Sequence, residues 1–139
     1  MRTVYLTRKE HFNAAHRLWN TDWSEEKNFE IFAECASPNY HGHNYDLYVT
    51  IRGVANPETG FLVNVKELGA LIKEEVVEKI DHKNLNVDVE MMKGMQTTTE
   101  NLAIAIWEHL EDQVREMGAE LYKVQLYETE KNQVTYYGE

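Results

Sequence analysis

The stretch PNYHGHNYDLYVTI, residues 38–51, puts two histidines where an extended chain would be expected to carry aliphatic side chains. Read at period two, His41 and His43 share a face with Tyr45, Leu47, Val49 and Ile51, while Gly42, Asn44, Asp46, Tyr48, Thr50 and Arg52 take the other. Two imidazoles spaced in this way stand about 6.6 Å apart along the chain and can supply two edges of a tetrahedral metal site. A third nitrogen is available from His16, which lies on the parity of Phe12, Ala14 and Leu18 in an earlier extended segment. Three histidines with no evident fourth protein ligand leave one coordination position open, the arrangement of a catalytic rather than a structural zinc.

Cys35 is the only cysteine and lies six residues before His41, in a loop rather than an apolar run. A lone thiol is most often a small buried hydrophobe, and one that acts as base or nucleophile near neutral pH needs a cationic or hydrogen-bonding neighbour. Asp81-His82 is a candidate source of that neighbour, because an adjacent carboxylate and imidazole can orient and polarise one another, although a solvated helix end would also account for the dipeptide. Glu128 continues the parity of Tyr122, Val124 and Leu126 at the end of a strand. A carboxylate there either turns toward water or finds a partner, and the amino-imino edge of a guanine or pterin ring would satisfy it in bidentate fashion.

The elements that must position these groups follow from periodicity. Residues 3–18 and 41–53 read as strands, separated by a polar, acidic loop over 19–39 that holds Trp19, Trp23, Phe29 and Phe32. Asn64 followed by Glu67 opens a helix whose stripe is Val65, Leu68, Leu71, Ile72, Val76 and Ile80, ending near Asp81. Thr97 and Glu100 have capping-box spacing ahead of a second helix with Leu102, Ile106, Leu110, Val114 and Met117 inward and Gly118 at its close. Two further strands, about 121–128 and 133–137, are joined by the turn TEKN. The order is ββααββ, which predicts one α+β domain over residues 1–139: a four-stranded antiparallel sheet with two helices on one face.

Composition narrows the function classes. The net charge of −10, from 24 acidic and 14 basic residues without a Lys/Arg cluster, argues against nucleic acid and anionic membrane surfaces as partners and favours a small ligand. No window approaches the roughly 20 apolar residues of a membrane span, and the N-terminus lacks a signal-peptide pattern. With one cysteine that cannot form an internal disulfide, the chain is expected to be cytoplasmic.

The segments FNAAHRL, CASPNYHGHNY, TGFLVNVKEL, DHKNLN, TTTENLAIAIW and YKVQLYETEKNQVTYYGE together resemble the 6-pyruvoyl-tetrahydropterin synthase and 6-carboxy-tetrahydropterin synthase family, in order from the first strand to the C-terminus. The resemblance implies the tunnelling fold, in which the sheets of three subunits close into a barrel and two trimers stack as a homohexamer with active sites between subunits. It also implies zinc on His16, His41 and His43, a base at Cys35, an activating pair at Asp81 and His82, and a pterin anchor at Glu128, with Thr98, Thr99 and Glu100 bordering the pocket. The implied activity is a lyase reaction that converts 7,8-dihydroneopterin triphosphate into 6-pyruvoyl-tetrahydropterin and triphosphate, by internal redox and without nicotinamide or flavin. The alternatives are the 6-carboxy-tetrahydropterin branch of queuosine biosynthesis, which releases acetaldehyde, and a non-catalytic zinc- or pterin-binding protein. Five residues separate Cys35 from His41, as in the pyruvoyl-forming branch, where the carboxy branch typically has three. Two positions depart from mammalian members: Glu34 stands where they have a basic residue, and Tyr40 where they have a small one.

Overall fold

In the computed structural model, which describes residues 1–139, the sheet is built around one long antiparallel pair. Strands β1 (Val4–His16) and β2 (His41–Gly53) run in unbroken register from Val4 opposite Gly53 to His16 opposite His41. Strand β4 (Glu120–Tyr127) pairs antiparallel with β2, and β5 (Gln133–Tyr136) with β4. The expected four strands are therefore present, but the sheet has five. Strand β3 (Lys83–Asn84) lies parallel to β1 at the edge, giving the order β3-β1-β2-β4-β5 and making the sheet mixed rather than purely antiparallel. Two residues carry no periodicity, so such a strand is legible only from its partners: the His82 N–H donates to the Asn13 carbonyl and the Leu85 N–H to that of Ala15.

The helices cover one face. Helix α2 (Val65–Ile72) is capped by the Asn64 side chain, which accepts from the Lys66 N–H, and continues through a π turn (Lys73–Val77) into a last turn, α3 (Glu78–Ile80). Its buried residues Leu68, Ile72, Val76 and Ile80 are spaced by four. On a regular helix each such step drifts by about 40°, and the wider π turn returns the later pair to the core. Val65, expected in the stripe, is 48% exposed because it lies in the first turn, before the helix reaches the sheet. Helix α4 (Thr99–Glu116) buries Leu102, Ile106, Leu110 and Val114 as expected, and Gly118 beyond it takes φ of +91°. Its cap falls one residue later than the spacing predicts. Thr98 accepts from the Asn101 N–H, while the Thr97 hydroxyl donates to the Arg17 carbonyl and to Asn86 Oδ1.

Residues 19–39 are more ordered than a loop. They contain α1 (Glu25–Phe32) and a single 3-10 turn, Ala33–Ala36, that carries Cys35. Helix α1 has no apolar stripe to betray it; Ser24 caps it, and the fully buried Asn28 side chain fastens it by accepting from the Asn20 N–H and donating to the Asn20 and Ser24 carbonyls. A second correction concerns Tyr122. A bulge in the β2–β4 ladder pairs Thr50 with Lys123 but Ile51 with Leu121. Tyr122 is therefore turned to the outer face against Tyr5, Tyr137 and Arg52, and Leu121 is buried in its place. No helix is long and apolar enough to cross a membrane.

The core lies between this sheet and helices α2 to α4 and joins Phe12, Tyr45, Leu47, Val49, Ile51, Val124 and Leu126 to the helix stripes. Leu126 is fully buried two residues before Glu128. Leu126→Ala is expected to lower the unfolding free energy by about 2–5 kcal/mol. Urea titration should show this as a lower midpoint with an unchanged slope.

Candidate metal centre and active site

The β1–β2 register sets His16 directly opposite His41, and Ala14 opposite His43. Because the inner face alternates, all three imidazoles meet at one end of the pair, with ring centroids 4.6, 5.0 and 5.2 Å apart. One nitrogen from each lies within 4.8 Å of the others. The chemistry of these nitrogens fits a cation. His16 Nε2, His41 Nδ1 and His43 Nε2 are buried without a hydrogen-bond partner, a costly state for polar atoms unless something accepts their lone pairs. His16 Nδ1 lies 2.6 Å from the Thr97 carbonyl, so the proton sits on Nδ1 and Nε2 is left free as a donor to metal. The three histidines could hold a metal ion.

Beside them opens a cavity of about 390 Å³ lined by His16, Leu18, Cys35, Thr98, Thr99, Glu100, Glu128, Asn132, Gln133 and Val134. Glu128 lies just past β4, its carboxylate oxygens 3.8 Å from His16 Nε2 and His43 Nε2, and the Thr99 hydroxyl donates to it at 2.7 Å. Thr99 and Glu100 enter the cavity because α4 begins there, with Glu100 exposed in the first turn. Asn132, Gln133 and Val134 come from the β4–β5 turn and the start of β5; in sequence they read as turn and strand, with no chemical pattern to mark them.

Asp81 and His82 stand elsewhere. They line a separate cavity of about 450 Å³ with His11, Phe12, Asn13, Asn44 and Asp46. Asn13, Asn44 and Asp46 belong to the outer face of the sheet, opposite the histidine triad. Asp81 accepts from the Asn13 N–H at 2.8 Å and lies 2.9 Å from His82 Nδ1, so carboxylate and imidazole are paired as their adjacency suggested. His82 is 81% exposed and held at φ of +62°. Within one chain this pair and Cys35 do not share a cavity.

The family model for 6-pyruvoyl tetrahydropterin synthase matches residues 5–139. The chain belongs to the 6-pyruvoyl tetrahydropterin synthase family. It is 46% identical to the 6-pyruvoyl tetrahydrobiopterin synthase of Dictyostelium discoideum, over 99% of this chain and 98% of that one. It is 42% identical to the enzyme of that name from Homo sapiens, over 96% of this chain and 91% of that one. The solved structure of 6-pyruvoyl tetrahydropterin synthase from Caenorhabditis elegans superposes with a TM-score of 0.92 at 38% identity, covering 100% of this chain and 98% of that one.

In this family member burial is the largest influence on His16, His43 and Cys35. Desolvation lowers the pKa of His16 and of His43, so both rings are neutral at pH 7, as ligation requires. Burial raises that of the Cys35 thiol, and the nearby carboxylates of Glu128 and Glu34 raise it further. The Asn13 amide and then His82 hold Asp81 below the usual carboxylate range. A histidine whose pKa is lower in the folded chain than the ordinary 6.5 binds fewer protons folded than unfolded just below that pH. Metal-free protein is therefore expected to lose stability as pH falls below about 6.5, and metal-loaded protein to release its ion over the same fall. Thermal melts and metal analysis across pH 5–8 check both, and His16→Ala should abolish stoichiometric metal binding while leaving the far-UV spectrum intact.

Proposed function

We propose that this chain is a zinc-dependent 6-pyruvoyl-tetrahydropterin synthase, converting 7,8-dihydroneopterin triphosphate to 6-pyruvoyl-tetrahydropterin with loss of triphosphate. The observation that carries this reading is the sharing of one cavity by a ligand histidine, the only thiol and an inward-facing carboxylate. Three histidine ligands would leave a four-coordinate zinc one open position, and zinc bound there would supply Lewis-acid polarisation of the substrate's side-chain hydroxyls. Cys35, as thiolate, takes and returns the carbon-bound protons that such polarisation acidifies. Glu128 accepts from the amino-imino edge of the pterin, and Thr99 fixes the carboxylate for that contact through its 2.7 Å hydrogen bond. Thr98 and Glu100 border the ring's binding site at the start of α4.

The role of Asp81 and His82 requires a second chain. Lying on the outer face with the imidazole open to solvent, they are suited to meet the Cys35 of a neighbouring protomer, keeping its thiol ionised or relaying its proton. This supports the assembly proposed here: one tunnelling-fold domain per chain, three sheets closing into a barrel, and two trimers stacking as a homohexamer in the cytoplasm. The five-residue spacing from Cys35 to His41 favours the pyruvoyl product over 6-carboxy-tetrahydropterin.

Incubation of zinc-loaded protein with dihydroneopterin triphosphate, followed by mass spectrometry, is expected to give 6-pyruvoyl-tetrahydropterin; acetaldehyde with a carboxylated pterin would transfer the chain to the queuosine branch. Cys35→Ala and His82→Ala should each be inactive alone. Mixed and reassembled, they should regain a fraction of wild-type turnover, because some sites then combine an intact thiol with an intact imidazole. A mixture as inactive as its components would remove the shared site.

A further inference from the structure

Arg17 follows a ligand histidine, yet it is absent from the lining of the active-site cavity. Its guanidinium lies 4.5 Å over the Trp19 ring and 5.9 Å from that of Tyr40, and Nη2 donates to the Ala36 carbonyl at 2.9 Å. Next to it, the Leu18 N–H donates to the Cys35 carbonyl at 2.7 Å. Two consecutive residues thus hold the two consecutive carbonyls at the end of the turn that carries the thiol. Arg17 is itself held from behind: Asn86 accepts from its N–H and donates to its carbonyl, each at 2.9 Å, and the Thr97 hydroxyl donates to that carbonyl as well. No carboxylate pairs with the guanidinium, whose Nε is buried without a partner. An arginine kept away from acids and laid against two aromatic rings supplies rigid, forked donation rather than an ion pair.

The turn it grips is under backbone strain at one end, and the segment leading back to β2 at the other. Ala33 has φ of +49° and Tyr40 φ of +65°, conformations that L side chains rarely adopt. Such backbone persists only where its surroundings over-determine it, and Arg17 contacts both the turn and the Tyr40 ring.

We infer that Arg17 is the positioning residue for Cys35, a staple that fixes the thiol's turn against the end of β1 so that the sulfur faces the cavity. The inference rests on the proposed role of Cys35 as base. Misplacing a reacting group by about 1 Å costs on the order of 10²-fold in rate, which sets the scale of the effect.

The test uses zinc-loaded full-length protein with Arg17→Gln, Arg17→Lys and Cys35→Ala. Arg17→Gln is expected to lose on the order of 10²-fold in kcat with KM nearly unchanged. Alkylation of Cys35 by iodoacetamide, read by mass spectrometry without turnover, should become severalfold faster as the loosened turn exposes the thiol. Arg17→Lys keeps the charge but loses the planar fork, and should show the same opposed changes in smaller measure. Zinc content should stay at wild-type level in both. A fall in kcat and alkylation together would make Arg17 an activator of the thiolate and overturn the positioning role; a raised KM with unchanged alkylation would make it a substrate ligand and overturn it too. Loss of zinc in step with turnover would place the effect on His16, and failure of both variants to fold would assign Arg17 to the fold; either overturns the inference. Turnover by Cys35→Ala would defeat the functional reading itself, whereas inactive Cys35→Ala beside normal Arg17 variants would defeat only this one.

Discussion

The pairing of His16 opposite His41 is the constraint on which the rest of the structure depends. Three imidazoles from distant points in the chain can meet only if β1 and β2 are in this register, since a slip by one residue would send His41 and His43 to the outer face. Side-chain pairs on both faces of the ladder lock it. Inside, the Phe12 and Tyr45 rings stack at 5.0 Å directly across the strands. Outside, Asn13 donates to Asn44 at 2.7 Å and the Thr7 and Thr50 hydroxyls meet at the same distance. Cross-strand pairs of this kind contribute roughly 0.2–1 kcal/mol each, and a shifted register forfeits them all together with the burial of Leu47, Val49 and Ile51.

Strain is confined to the segment around Cys35 and to His82. Ala33, Tyr40 and His82 are the only non-glycine residues with positive φ. Two of them flank the segment that carries Cys35 into β2, and the third is the exposed imidazole itself. Each such residue costs on the order of 1–3 kcal/mol, which the regular β1–β2 ladder and the helix-covered core must offset. The unstrained sheet and the strained loops are thus one arrangement: a rigid platform holds the three triad histidines while irregular segments carry the Cys35 thiol and the His82 imidazole.

Much of this was legible in sequence, and the limits have physical causes. Alternation exposed the inward histidines and the long strands because one face is buried and the other is not. Spacing by three and four exposed α2 and α4 for the same reason. Helix α1 has no signal in the periodicity because it is anchored by the buried amide of Asn28 and not by an apolar stripe. Strand β3 and the bulge at Tyr122 are set by partners across the sheet, which no local pattern encodes. Thr97 was legible only as a helix cap, whereas its carbonyl in fact fixes the His16 tautomer, a contact across 81 positions of sequence. Cys35, Glu128 and the Thr98–Glu100 run could be named from the sequence, but their common cavity exists only once α4 begins beside the end of β4.

Electrostatics gives the site its dependence on what binds there. Burial keeps the His16 and His43 rings uncharged, and the same burial, with Glu128 and Glu34, keeps the Cys35 thiol protonated. A lone chain therefore presents neutral imidazoles and an unionised thiol around a carboxylate, a pocket ready to accept positive charge and unready to remove a proton. On the proposed reading, a divalent ion on the histidines opposes the field of Glu128, and a neighbouring His82 paired to its Asp81 supplies the second polar partner for the sulfur. On that reading thiolate formation would be coupled to metal loading and to assembly, and a chain by itself would hold Cys35 as the thiol.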